Sequence, residues 1–166
     1  MPDRPVPNPR GEELIFFTEA KEGRLSFQVC DDCATRIAYP HVVCPNCLSD
    51  RLTRRPAAGT GTVHSFTTLH RAGNPVMAGR VPYTVVLVDL DEGVRVLADL
   101  ADDGAGAAPR IGMPVEVFFE ELTDELSIPR FRAVDEVLSR VCEVATRSSR
   151  PSRSTRSSRR AGRRPG

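Results

Sequence analysis

Apolar residues along this chain change their period as it proceeds, and the changes mark out its elements. Between Gly11 and Glu22, the run Leu14-Ile15-Phe16-Phe17 with Ala20 follows Glu12 and Glu13, and Gly23 closes it. Acids at the start and glycine at the end predict a short amphipathic helix. Arg24 to Val29 reads as a strand, and Leu52 to Pro56 leads out of a cysteine-rich stretch. After Gly59 and Gly61 the pattern becomes that of strands. Thr62 to His70 is rich in β-branched and aromatic residues, and Tyr83 to Leu90 is almost continuously apolar, as a central strand covered on both sides would be. Asp91-Glu92-Gly93 turns a hairpin. Val94, Val96 and Ala98 then alternate with Arg95, Leu97 and Asp99, and Val115, Val117 and Phe119 alternate with Glu116, Phe118 and Glu120. Each run predicts a strand with one buried face. Ile128 to Val134 makes a fifth strand.

Five strands in about 75 residues predict a small closed β-barrel of OB type, since a sandwich ordinarily needs about seven. The expected fold is mainly β. Residues 1–23 form an N-terminal extension and helix, 24–56 a cysteine ribbon, 57–146 the barrel and 147–166 a tail. Within 135–145 a short strand or helical end is expected.

Composition adds a division that the net charge hides. The chain of 166 residues has a formal charge of +1, but 147–166 holds eight arginines and no acid. That leaves 15 Lys/Arg against 22 Asp/Glu in the rest, so the body is about −7 and the tail +8. The tail, Arg147-Ser148-Ser149-Arg150 through Arg163-Arg164-Pro165-Gly166, has too little apolar surface to offset the entropy of ordering, and is expected to be disordered. It reads either as an electrostatic arm for nucleic acid, anionic lipid or an acidic protein surface, or as a solvated extension. No apolar run approaches the ~18 residues of a membrane span, and the proline-rich start, Met1 to Arg10, does not resemble a signal sequence. The expectation is a soluble, cytoplasmic protein.

The most specific chemistry lies in Cys30-x2-Cys33 and Cys44-x2-Cys47, with ten residues between the pairs. Each pair brings two sulfurs onto one tight turn, and the stretch from Ala34 to Val43 can fold the turns together so that four thiolates reach one ion. The pattern reads as one structural zinc per chain. Four thiolates close the coordination shell and leave no position for water or substrate. Such a site supplies ~10–16 kcal/mol, enough to order a segment too small to own a core. Disulfides would require a secreted chain, and a redox pair would explain only one of the two cysteine pairs. An iron-sulfur cluster or a single iron remains open on the ligands alone. His41 lies between the pairs as an alternative ligand, or as a solvated loop residue.

Elsewhere candidate chemistry is sparse. His64 and His70 stand six apart on one predicted strand and so share a face, which either lines a groove or is an ordinary exposed surface. Arg71, Arg80 and Arg95 are of a type that meets phosphates, but solitary arginines are usually solvated charges. No nucleophile, base and orienting group are grouped in sequence, and no phosphate-cradling glycine loop precedes a helix. Cys142, in Val141-Cys142-Glu143-Val144, reads as a small buried hydrophobe. Zinc ribbons and OB barrels also bind nucleic acid, and the arginine tail would add phosphate affinity. The acidic body and scarce aromatics, with Phe118 and Phe119 on a strand that must also supply core, oppose that alternative.

The order Phe16, Leu25, Gln28, Cys30-x2-Cys33, Tyr39-Pro40, Cys44-Pro45-x-Cys47, Gly59-Thr60-Gly61-Thr62-Val63, Ser65, Thr67, Pro82-Tyr83 and Asp91-Glu92-Gly93-Val94-Arg95 resembles the zinc-ribbon-plus-OB-fold family long catalogued as a domain of unknown function. The resemblance runs from about Gly11 to Val134. The family commonly has glycine after each second cysteine, where this chain has Ala34 and Leu48. The resemblance implies a non-catalytic accessory subunit. Its partner would be a thiolase-fold enzyme, a lipid-transfer-type aldolase or an acyl-CoA hydratase, and it would contribute to the surface that accepts the acyl-CoA.

Overall fold

The computed structural model describes residues 4–101 and 108–134; the expected element within 135–145, Cys142 and the arginine-rich tail lie outside the described residues. In chain order the elements are helix α1 (Glu12–Lys21) and strands β1 (Leu25–Cys30), β2 (Arg36–Ile37), β3 (Leu52–Ala57) and β4 (Thr60–Leu69). A 3-10 turn (Pro75–Arg80) then leads to β5 (Tyr83–Leu90), β6 (Arg95–Leu100), β7 (Pro114–Glu121) and β8 (Ser127–Ala133). Among the described residues no helix is long and apolar enough to cross a membrane.

The last five strands close into a barrel in the order β4-β5-β6-β8-β7. All its pairings are antiparallel except β6 with β8, joined through Leu100 and Phe131. This is the five-stranded OB arrangement expected from the sequence. Period-2 alternation fills it: Val63, Val86, Val88, Val115 and Phe131 point inward and are almost wholly inaccessible. Gly61 sits where the barrel closes, paired with Leu90 of β5 on one side and Val115 of β7 on the other. A Cβ there would lie 2.4 Å from the Asp89 carbonyl oxygen, so only glycine lets the ladders meet.

A separate sheet, β2-β1-β3, carries the cysteines. Its central strand has no free face. Leu25 and Phe27 belong to the same apolar cluster as Val63, Val86 and Phe131, with Val29 packed against it. On the alternate positions, Ser26 donates to Glu19 of α1, and Arg54 of β3 lies 3.5 Å from the same carboxylate. Polar ties reinforce the shared core. The Tyr39 hydroxyl accepts from the Leu97 amide at 2.6 Å, Arg36 donates to the Glu92 carbonyl, and the Glu92 carboxylate accepts from the Ala58 amide at 2.6 Å. The Asp91-Glu92-Gly93 hairpin thus fastens the barrel to the cysteine sheet.

Two expectations need correction. The helix is not amphipathic in the expected sense: Phe16 packs against the core and Ala20 is buried, but Leu14 and Ile15 are 51% and 44% exposed. Four consecutive apolar residues at about 100° each spread around the helix and cannot share one stripe. Nor do His64 and His70 share a face. The β4 ladder is irregular between Val63, opposite Val88, and Ser65, opposite Leu87, so His64 is an extra residue that shifts the alternation beyond it.

The N-terminal segment contributes something the sequence did not announce. Arg4 is 9% exposed and lies on the outside of the barrel, ion-paired with Asp99 and, at 3.2 Å, with Glu120. Arg130 adds a 2.6 Å contact to Glu120 and Arg80 one at 3.5 Å. Burial pushes the Glu120 carboxyl up, but Arg4, Arg130 and Arg80 together outweigh it and hold the pKa below its ordinary value. Pro5, Pro7, Phe17, Tyr83, Val85 and Leu97 flank this network and border a groove of about 470 Å³.

Two outcomes follow. A carboxylate with a depressed folded pKa stabilises above its unfolded pKa, and that stability is lost as pH falls through the folded value. Acid melts of the wild type should therefore steepen below about pH 4.5, near the ordinary glutamate range, and Glu120→Gln should flatten that limb in chemical denaturation from pH 7 to 3. Tyr39→Phe should cost about 1 kcal/mol and speed hydrogen exchange at the Leu97 amide, leaving amides in β7 unchanged.

Candidate metal centre

Each cysteine pair is carried on the same kind of turn. In the first, the Ala34 amide donates to the Cys30 carbonyl at 2.9 Å and the Cys30 amide to the Thr35 carbonyl at 2.9 Å. In the second, the Leu48 amide donates to the Cys44 carbonyl at 2.9 Å and the Cys44 amide to the Ser49 carbonyl at 2.7 Å. The turn requires a left-handed residue after the second cysteine of each pair, and Ala34 (φ 57°) and Leu48 (φ 63°) adopt it without being glycine. The geometry survives the substitution, at roughly 1–2 kcal/mol for each side chain held there.

The turns face one another. All four sulfurs of Cys30, Cys33, Cys44 and Cys47 lie within 4.8 Å of each other, and the thiols are free. The pairs across the turns are Cys30 to Cys47 at 3.5 Å and Cys33 to Cys44 at 3.6 Å. Zinc-sulfur bonds of about 2.3 Å place tetrahedral sulfurs about 3.8 Å apart, so the donor set fits a tetrahedral thiophilic cation. Cys30 and Cys44 are buried and Cys47 is exposed.

Electrostatics point the same way. The Thr35 hydroxyl and amide hold the Cys33 thiol down to about 5. The Ser49 amide favours the Cys47 thiolate, but the neighbouring Cys33, Cys30 and Cys44 sulfurs outweigh it, and that thiol is pushed up to about 12. Burial pushes Cys30 up as well. Four thiolates at these separations would repel strongly, which keeps some of the sulfurs protonated, and a divalent cation at their centre removes the conflict.

His41 stands outside the cluster. Its Nδ1 is 2.8 Å from the Tyr39 carbonyl, and its backbone is clamped by Gln28, whose Oε1 accepts from the His41 amide at 2.8 Å and whose Nε2 donates to its carbonyl at 3.1 Å. Gln28 is therefore the residue that shapes the loop between the turns. Sequence reasoning noted it only as part of the family pattern.

The remaining candidates are dispersed. His64 Nδ1 lies 2.9 Å from Asp89, which Arg95 grips through Nε at 2.6 Å and Nη2 at 3.2 Å. Arg95 holds the Asp89 carboxyl below its ordinary pKa. Arg80 belongs instead to the Glu120 network, and His70 and Arg71 are exposed. The structure thus does not gather Arg71, Arg80 and Arg95 into one phosphate site. Phe119 packs on the core, whereas Phe118 faces outward beneath Arg130 and Arg132, whose guanidinium carbons are 5.4 and 6.0 Å from its ring centre. Both arginines are also paired, with Glu120 and Glu116, so Phe118 is not an open stacking platform.

Comparison with known proteins agrees with this architecture. Residues 17–53 match the "ChsH2, rubredoxin-like zinc ribbon domain" and 54–120 the "ChsH2, C-terminal OB-fold domain". A chain of a solved Ltp2-ChsH2(DUF35) aldolase is 37% identical with a TM-score of 0.65, covering 77% of this chain and 98% of that one. A probable enoyl-CoA hydratase alpha subunit of Thermomonospora curvata is 39% identical over 132 residues, 78% of this chain and 40% of its own length. The 3-oxo-4,17-pregnadiene-20-carboxyl-CoA hydratase alpha subunit of Mycobacterium tuberculosis is 42% identical over 72 residues, 41% of this chain and 21% of its own length. A DUF35 domain-containing scaffold protein of Methanothermobacter thermautotrophicus is 27% identical over 97 residues, 58% of this chain and 71% of that protein. The chain thus spans less than half of the hydratase subunits it matches. By its ribbon, its barrel and its near-complete cover of the ChsH2(DUF35) chain, it belongs to the ChsH2-type DUF35 family of rubredoxin-like zinc ribbons joined to an OB-fold domain.

Proposed function

We propose that this chain is a non-catalytic accessory subunit. It holds one structural zinc through Cys30, Cys33, Cys44 and Cys47 and docks on a thiolase-fold enzyme or an acyl-CoA hydratase subunit, which carries the reaction and whose acyl-CoA site it helps to shape. The observation that carries this reading is the match over 98% of a ChsH2(DUF35) chain that forms an aldolase with Ltp2. The DUF35 scaffold proteins support it, and the hydratase alpha subunits give the second partner class.

The residues support a scaffold in physical terms. Zinc bound here supplies cross-linking and no activated water, because four thiolates complete its shell. Gln28 and Tyr39 orient the loop between the cysteine turns, and Arg36 and Glu92 fasten that unit to the barrel. The His64-Asp89-Arg95 cluster has a base and an acid, but it lies on an exposed outer face of the barrel, where water competes for every contact.

The purified chain should contain close to one zinc. Cys30→Ser or Cys47→Ser should lose the metal and raise hydrogen exchange between residues 25 and 52, while β5 and β7 keep their protection. A folded, metal-free wild-type ribbon would refute the zinc assignment. The chain alone should show no aldolase or hydratase turnover, and co-expression with the native thiolase-fold or hydratase subunit should yield a stoichiometric, active complex.

A further inference from the structure

The loop between the cysteine turns has a surface at odds with its exposure. From Ile37 to Ser49 the chain has no Asp, Glu, Lys or Arg, although 27% of the whole sequence is charged. Yet Tyr39 and Val43 are each 43% exposed, Val42 is 72% and Leu48 is 76%. A loop that faces only solvent gains nothing from being both apolar and uncharged, whereas the centre of a protein-protein contact has this composition.

Leu48 adds an independent observation. Its backbone occupies the left-handed region at φ 63°, where glycine is the unstrained choice. Its side chain is the most exposed of the large apolar residues among the described residues, so packing within the fold does not explain a leucine in that position.

We infer that this uncharged loop, with Val42 and Leu48 as its anchors, seats in an apolar cleft of the enzyme subunit. The inference rests on the accessory-subunit reading. The surroundings specify that cleft further. Asp31, Asp32 and Asp50 are exposed beside the loop against Arg51, which pairs with Asp32, and Arg36, which is held on the Glu92 carbonyl, so the rim is net acidic and a complementary cleft carries lysine or arginine at its edge. The same rim disfavours a second copy, since self-apposition would set the three aspartates against their own kind. The arginine-rich segment 147–166 lacks large apolar side chains to cover Val42 and Leu48. The patch is also small beside the ~800 Å² per partner of a standard interface, so it acts as a buried anchor within a wider contact.

Titration of full-length chain into the native thiolase-fold or hydratase subunit tests this, with metal content and thermal midpoint measured on every variant. Leu48→Gly removes the side chain and relieves the backbone, so it should keep its zinc and melt no lower than wild type while binding at least ten-fold more weakly. Val42→Asp should weaken binding by more than that. Ile111→Asp, an equally exposed control at 70%, should stay within two-fold. If Leu48→Gly and Val42→Asp bind like wild type, or Ile111→Asp weakens binding as much, the loop is not the anchor even though the accessory reading stands. If the wild type self-associates and Val42→Asp abolishes that, the occupant is a second copy and the inference fails. If the wild type binds neither kind of subunit, the accessory reading falls and the inference with it.

Discussion

Strand β1 is the constraint on which the rest of the structure depends. It lies between β2 and β3, and its two faces meet different environments. Leu25 and Phe27 complete the barrel's apolar cluster, while Ser26, Gln28 and Cys30 turn to α1, the intervening loop and the cysteine cluster. Side chains alternate with a period of two, so a slip of one residue would exchange the two sets. Cys30 would leave its three partners, and serine and glutamine would enter hydrocarbon. Burying Leu25 and Phe27 contributes roughly 1.5–3 kcal/mol each, a sizeable share of a typical net stability. The cysteine unit and the barrel are therefore not independent modules that happen to touch.

The loop between the cysteine turns shows the other side of that dependence. Apart from the two residues of β2 it has no ladder of its own, and its apolar side chains are largely turned outward. Its order comes from three external ties: the sulfur cluster, the Gln28 amide paired with both backbone groups of His41, and the Tyr39 hydroxyl on β6. A segment ordered this way need not bury its own side chains. That frees Val42 and Leu48 for a contact elsewhere, a freedom that an ordinary small core would not allow.

What could be read in the sequence was what depends on near neighbours. The spacing of Cys30, Cys33, Cys44 and Cys47 reflects the reach of two tight turns, and the alternation of Val94, Val96 and Ala98 reflects one strand's two faces, so both survive in the fold. Gly59 and Gly61 marked a boundary, but the reason for Gly61, a carbonyl oxygen 2.4 Å from where a Cβ would be, belongs to the pairing of distant strands. The extra residue at His64 was invisible because a bulge inserts no distinctive residue type, yet it reversed which residues share its face. Arg4, like the reason for Gly61, was hidden because it depends on distant strands. Its partners Asp99 and Glu120 come together only when β6 meets β8 and β8 meets β7.

The His64-Asp89-Arg95 cluster joins three strands of the barrel and differs from a catalytic group in its surroundings. In the triad type of general base a carboxylate orients the imidazole within a shielded cleft, where the resulting charge is worth several times its value in water. Here Asp89 is committed to Arg95, which grips it with two nitrogens and keeps it ionised, and all three side chains are substantially exposed. Arg95 Nη2 also lies 3.0 Å from His64 Nδ1, so the imidazole shares its carboxylate with a permanent cation. The three residues come from β4, β5 and β6, and His64 is the extra residue of the β4 irregularity. Their geometry splints three strands where one ladder slips.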